Sequence, residues 1–394
     1  MRPLNRILAV AAAALVAAPL AACAATAAPT ASTIAVDVAD GSPTGDAIAI
    51  PGGLQAGLRR GLDALPGIVR DVLERSGVPG MSVAVVAGGE TVLAEGYGTK
   101  VAGKEEPVDA DTVFQIASVS KSLTGTVIAK AVSDGLVTWD TPVRELLPGF
   151  ALGDPYVTDH GTIGDYMSHR SGLYTGAGDD LETLGFDRAT VLDRLRLLPL
   201  APFRSSYNYS NFGITVAGEA TAAAAGTSWE QLAEDTLFAP LGMGSTSFRY
   251  DDYLARADRA TINALVDGSF APRFQREPDP QAPAGDLVDA RRPASPAPPA
   301  ALSAYAGVYR NDYFGDLVLS VEGDRLVGRL GPTGGFEIDL EPWDGDVFAF
   351  EISGEEAPPG SRSSASFAMA GGQAASVVLA YFDRWGLGTF LRAG

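Results

Sequence analysis

The run Pro293-Ala294-Ser295-Pro296-Ala297-Pro298-Pro299 constrains the fold more than any other segment. Its prolines remove backbone donors and fix φ, so neither a helix interior nor a central strand can pass through it. The patterning also changes across it. Upstream, apolar residues recur at helical spacing, whereas from Leu302 short β-rich segments alternate with turns. Such a chain folds as two regions joined by a Pro/Ala-rich linker, residues 286–301. Its 394 residues, 46% of them apolar, suffice for two cores.

Charge narrows the function. Lys and Arg total 29 against 48 Asp and Glu, a formal charge of −19, and no basic block interrupts the acidic background. Nucleic acid is thereby excluded as a partner. A single cysteine forms no internal disulfide, and the two histidines, His160 and His169, cannot build a zinc site.

Arg2 and Arg6 precede an Ala/Val/Leu run from Ile7 to Ala22 that is too short and Ala-rich for a membrane span. This is the pattern of an export signal. Leu20-Ala21-Ala22-Cys23 resembles the lipobox of bacterial lipoproteins. That resemblance implies a signal peptide over residues 1–23, a lipid anchor on Cys23 that ties the protein to a membrane, and a location facing the periplasm or cell exterior. Ordinary cleavage at a nearby Ala-x-Ala site is the alternative. Residues 24–55, rich in Ala, Thr, Ser, Gly and Pro, read as a flexible tether.

Gln55 to Ser76 carries Leu58, Leu62, Leu65, Ile68, Val69, Val72 and Leu73 at helical spacing, stopped by Gly77-Val78-Pro79-Gly80. Met81 to Ala87 is β-rich, Gly88-Gly89 supplies a turn, and Glu90 to Gly98 returns, which predicts a hairpin. A further helix is predicted to open at Ser118, in Ile116-Ala117-Ser118-Val119-Ser120-Lys121. A hydroxyl there lies near unpaired N–H groups and the positive end of the helix dipole, which favours an oxyanion beside it. Lys121, three residues on, shares that face, which brings its amine within reach of the hydroxyl as a candidate base. Taken alone, Ser-x-x-Lys is equally an N-cap serine with a surface lysine.

The surrounding residues decide between those readings. Pro79 to Val85, Gly96-Tyr97-Gly98 and Thr112 to Ser118 occur in the order seen in the serine β-lactamase and penicillin-recognising peptidase superfamily, and the chain resembles its class C β-lactamase-like branch. Thr162 to Leu173 resembles that family's L-L-S-H-x-S-G-L segment, Tyr209-Ser210-Asn211 its Tyr-x-Asn motif, and Pro240 to Thr246 its P-L-G-M-x-x-T segment. The resemblance implies Ser118 as acylated nucleophile, Lys121 and Tyr209 as the acid/base pair, and Asn211 as the group that binds substrate and orients the lysine. It implies a structural His169 that shapes the turn beneath the site. His160 is expected at the surface, in a polar loop from Tyr156 to Gly161. Aligning Tyr207-x-Tyr209 on the motif instead leaves no Asn at its third position.

The family's third motif, Lys or His followed by Thr or Ser and Gly, is not found, because no lysine follows Lys130 and no histidine follows His169. Pro332-Thr333-Gly334 lies in the β-rich region and reads as coincidence. The β-lactamase-like region, residues 56–285, is therefore expected to lack the strands that complete the sheet, one wall of the cleft and one oxyanion donor. Losing such a donor costs on the order of 10²–10³ in rate. A pseudo-enzyme, a rewired active member and a site completed by another chain all fit this pattern.

Downstream, Tyr305–Tyr309, Gly315–Val321, Arg325–Leu330, Phe336–Leu340, Val347–Ile352, Ser363–Met369, Ala375–Phe382 and Gly388–Leu391 read as short strands. Ala304 to Tyr309 resembles the opening of the lipocalin-like domain appended to β-lactamase relatives. Trp343, Phe348, Phe350 and Trp385 are expected in its core, with room for a small apolar ligand. The implied fold is α+β, a truncated antiparallel sheet flanked by helices, followed over residues 302–394 by a small all-β barrel or sandwich. The implied function is that of an exported serine hydrolase forming an acyl-enzyme on an amide, β-lactam or ester carbonyl of a small molecule or peptide, with no metal or organic cofactor. The alternative is an inactive homologue that binds an envelope ligand or peptidoglycan.

Overall fold

The computed structural model describes residues 52–261, 283–352, 357 and 360–394. Cys23, the signal segment, most of the tether and the stretch before Pro283 lie outside the described residues. Contacts divide the chain into two compact units, residues 1–65 with 85–93, and residues 66–84 with 94–394. Everything that builds the site belongs to the second.

Helix α1 (Gly52–Ser76) carries Pro66 in its interior. Strands β1 (Gly80–Ala87) and β2 (Glu90–Gly98) form the expected hairpin, a two-stranded sheet in which no side chain is fully buried. Among the described residues this hairpin is the whole sheet of the N-terminal region, so the α+β fold is truncated on its β side.

Among the described residues nine further helices follow: α2 (Ser120–Ser133), α3 (Val143–Leu146), α4 (Pro155–His160), α5 (Ile163–Met167), α6 (Asp179–Thr183), α7 (Arg188–Arg194), α8 (Asn211–Ala225), α9 (Trp229–Ala233) and α10 (Tyr250–Ala255). The central one is α8, which packs against α2, α3, α5 and α9. Its Phe212, Ile214, Val216, Ala217, Ala220 and Ala222 are buried, and its Ala/Gly-rich face admits the Trp229 ring against Gly218. Close packing of this kind is what an Ala-rich helix offers in place of side-chain bulk.

One expectation changes here. Tyr156 to Gly161 is not a polar loop, because Asp154 accepts from the Tyr156 amide at 2.7 Å and starts α4 behind Pro155. Helix α9 ends at Ala233 and continues as a π turn over Glu234–Phe238. Helix α8 begins at Asn211, since the Ser210 hydroxyl accepts from the Gly213 amide at 3.0 Å.

The C-terminal region is a closed barrel rather than a sandwich. Strands β3 (Gly307–Asn311), β4 (Gly315–Glu322), β5 (Arg325–Leu330), β6 (Phe336–Asp344), β7 (Val347–Glu351), β8 (Arg362–Ala370), β9 (Gln373–Leu379) and β10 (Thr389–Arg392) pair antiparallel in sequence order. Pairing of Leu391 with Arg310 and Arg392 with Tyr309 joins the last strand to the first. The first strand starts at Gly307 rather than Tyr305, because Leu302–Ala304 forms a 3-10 turn and Tyr305 turns inward. Inside stand Tyr305, Tyr309, Phe314, Phe348, Phe350 and Phe390, each under 2% exposed, where the sequence left room for an apolar ligand. Two of the four expected core aromatics lie elsewhere. Trp343 is half-exposed beneath the Arg362 guanidinium, and Trp385 faces the cleft described below.

The Pro-rich linker does not hang free of the barrel. Asp286 accepts from Ser363 Oγ at 2.6 Å and from Ser364 N at 2.9 Å, and the Ala297 amide donates to Asp344 Oδ1 at 2.8 Å. Prolines that cannot donate leave the few remaining amides to find partners on the barrel rim. Phe348 packs edge-on against Tyr305 at 4.9 Å and Phe367 at 5.5 Å. Phe348→Ala is expected to lower barrel stability by about 3–5 kcal/mol, read as an earlier midpoint in denaturant unfolding followed by Trp343 and Trp385 fluorescence.

Candidate active site

Ser118 does not open the long helix. It sits in a single 3-10 turn, Ala117–Val119, and α2 proper starts at Ser120. Ala117, immediately before it, adopts φ 43°, a left-handed conformation that costs an alanine energy and persists only where the surroundings impose it. The turn leaves Ser118 exposed at a cleft mouth, with Lys121 half-buried one turn further on.

The four predicted site residues converge. Lys121 Nζ donates to Ser118 Oγ at 3.0 Å and to Asn211 Oδ1 at 2.6 Å, and the Tyr209 hydroxyl donates to Ser118 Oγ at 2.6 Å. Lys121 Nζ also lies 4.6 Å from the centroid of the Tyr209 ring, within cation–π range. Two oxygens and a π face thus replace the water that the half-buried amine gives up. Tyr209 lies on the extended approach to α8, and Asn211 is that helix's first residue, so the Ser210 cap sets both at once.

Tyr207, the rival for the motif, is 67% exposed and meets the His169 ring at 5.3 Å instead of Ser118. His169 lies beneath the site, as expected. Its backbone takes φ 58°, its Nδ1 accepts from the Ser210 amide at 3.1 Å, and its ring tilts against Tyr209 at 4.7 Å. That hydrogen bond places the proton of the neutral ring on Nε2. His160 is exposed and stacks on Tyr156.

Other residues of the site carried no local sequence signal. Arg204 grips Asp165 with Nε at 2.8 Å and Nη2 at 2.7 Å, and its amide donates to the Arg170 carbonyl at 3.0 Å. This ties the segment leading to Tyr209 onto α5. Asp179 Oδ2 accepts from Asn211 Nδ2 at 3.0 Å, a contact 32 residues apart in sequence. Gly178, before it, has φ 90°, and a Cβ there would lie 2.8 Å from the Phe212 ring, so only glycine lets α6 come this close to α8.

The cleft, of about 580 Å³, has Ser118, Tyr209, Asn211 and Asp179 on one side and Phe336, Tyr381, Arg384 and Trp385 of the barrel on the other. Trp385 stacks on Tyr174 at 5.0 Å, and the Arg384 guanidinium lies 4.7 Å over Trp385. The barrel therefore stands where the sequence left a missing wall. Thr333-Gly334 lies in the β5–β6 turn, outside this lining.

Residues 65–309, more than half of the chain, match the Beta-lactamase family. The chain belongs to the beta-lactamase family. Residues 291–386 of this beta-lactamase-family chain also match a domain of unknown function, DUF3471. The chain is 31% identical over 52% of its length to an unguisins hydrolase of Aspergillus campestris, covering 39% of that protein. It is 35% identical over 42% of its length to penicillin-binding protein 4 of Amycolatopsis lactamdurans, covering 44% of that protein. It thus spans less than half the length of each of these two relatives. A class C beta lactamase structure is 23% identical, covering 54% of this chain and 60% of that one, with a TM-score of 0.44. The C-terminal domain of a penicillin binding protein is 43% identical, covering 26% of this chain and 94% of that domain, with a TM-score of 0.24.

Burial, and then the nearby charge of Lys121, hold the His169 pKa below its ordinary value of 6.5. The unfolded chain accordingly binds this proton more readily than the folded one, and stability falls as pH drops below that of an ordinary histidine. His169→Asn keeps a hydrogen-bond acceptor, tolerates positive φ and does not titrate. The wild type is expected to lose stability from neutral to mildly acidic pH more steeply than this variant, as measured by thermal midpoints across that range.

Proposed function

We propose that this chain is a serine hydrolase that forms an acyl-enzyme at Ser118 on an amide, β-lactam or ester carbonyl. The observation that carries the reading is the convergence of Tyr209 hydroxyl and Lys121 amine on one exposed serine oxygen, at 2.6 and 3.0 Å. In this reading Lys121 and the Tyr209 phenol form the acid/base pair. With one member of the pair deprotonated, that member takes the Ser118 proton as Oγ attacks the carbonyl carbon, and Tyr209 then gives a proton to the leaving nitrogen or oxygen. Water then attacks the ester through the same groups. Asn211, held by Asp179, fixes the lysine and offers its amide to the substrate.

The cleft accommodates a small acyl donor against the aromatic wall of Phe336, Tyr381 and Trp385. The names of the hydrolase and the penicillin-binding protein among its relatives support acyl transfer on amide-like bonds. The chain works in this reading as an exported lipoprotein, held at the membrane through acylated Cys23 and facing the periplasm or cell exterior. Cys23→Ala is then expected to move the protein from the membrane fraction to the soluble one.

Intact-mass analysis of the chain from residue 24, incubated separately with a penicillin and a fluorophosphonate, tests the chemistry. A stoichiometric adduct is expected on the wild type and none on Ser118→Ala, with Tyr209→Phe slowing acylation by about 10²–10⁴. A well-folded chain that takes neither reagent would falsify the hydrolase reading and leave an envelope ligand-binding protein.

A further inference from the structure

We propose that Tyr313, on the barrel, is a positioning residue for Lys121, acting through helix α6. The proposal rests on the reading of Ser118 and Lys121 above. Tyr313 is 1% exposed, and its hydroxyl donates to Asp180 Oδ1 at 2.7 Å, with the Gly178 amide against the same phenol. Arg194 of α7 donates to the Tyr313 carbonyl at 2.6 Å. At the other end of α6, a Cβ on Gly331 would lie 2.2 Å from the Leu184 carbonyl oxygen, so the β5–β6 turn rests directly on the helix end.

A helix of 5 residues does not hold its shape in water. The barrel grips this one at both ends. Asp179, next to the gripped Asp180, accepts from Asn211 Nδ2, which turns the opposite atom, Oδ1, toward Lys121. A continuous chain of contacts thus runs from Tyr313 through the first turn of α6, Asn211 and Lys121 to Ser118. Without the Tyr313 hydroxyl, that turn loses one of its contacts with the barrel, and Asp179 is held less firmly as the acceptor that orients Asn211.

The test is Tyr313→Phe in the full chain, with two readouts. In the first, Ser118 acylation by a fluorophosphonate is expected to slow by roughly 3- to 30-fold, with the acid limb of its pH profile displaced and the thermal midpoint little changed. The second uses a Cys23→Ser, Ser118→Cys background and follows iodoacetamide alkylation of the new thiol. Its pH midpoint is expected to rise by roughly half a unit or more as the neighbouring cation moves away. Asp180→Ala, which cuts the same link from the α6 side, gives the same displacements should Tyr313→Phe fold poorly. Combination with Asp179→Asn adds little further loss, because both changes act on one chain of contacts.

An unchanged pH profile with an unchanged thiol midpoint overturns the proposal, as do losses that add in full with Asp179→Asn. If the wild type is not acylated yet the thiol midpoint still moves in Tyr313→Phe, the hydrolase reading fails and the positioning role stands.

Discussion

The half-buried amine of Lys121 is the constraint on which the rest of this structure depends. An amine withdrawn from water needs partners of fixed geometry, and its partners come from two pieces of chain, the turn at Ser118 and the Tyr209–Asn211 approach to α8. Ser118 arrives from a strained 3-10 turn, the Tyr209 ring from an extended approach, and Asn211 from the first residue of α8. Neither piece can shift without disturbing the other. The capping hydroxyl of Ser210, the acceptor nitrogen of His169 and the Arg204–Asp165 pair serve the same end, since they hold the approach to α8 in place.

The second constraint is the shortage of sheet. A two-stranded hairpin without a buried side chain cannot furnish a cleft wall, and an open sheet of that size presents unpaired edges. The eight-stranded barrel leaves no open edge of its own, because it closes on itself, and it supplies the cleft wall by standing against the helices. Closure makes it rigid, and its aromatic filling leaves Phe336, Tyr381 and Trp385 to line the cleft. The linker that joins the two regions is strapped along the barrel by Asp286 and Asp344.

Much of this was legible in the sequence where the signal is local. The change of period around residue 300 reports two kinds of packing, and the eight strand segments show through alternation and turn residues. The Ser-x-x-Lys pair, the Tyr-x-Asn motif and the histidine beneath them were each readable because each lies within a few residues of chain, although the 3-10 turn that holds Ser118 was not. Boundaries were less legible, since a cap such as Ser210 or a 3-10 turn such as Leu302–Ala304 shifts an element by a few residues without altering its pattern. Trp385 was misassigned because a large aromatic looks the same whether it faces a core or a cleft.

The sequence by itself determined the family, the α+β region followed by an all-β one, and the four side chains, Ser118, Lys121, Tyr209 and Asn211, that come together at the cleft. Local spacing and residue type suffice for these. Only the tertiary structure decided that the barrel walls the cleft, that Asp179 reaches Asn211, and that Tyr313 reaches Asp180 across 133 residues of sequence. Those contacts join segments whose separation is set by packing, and no pattern within either segment encodes the distance to the other.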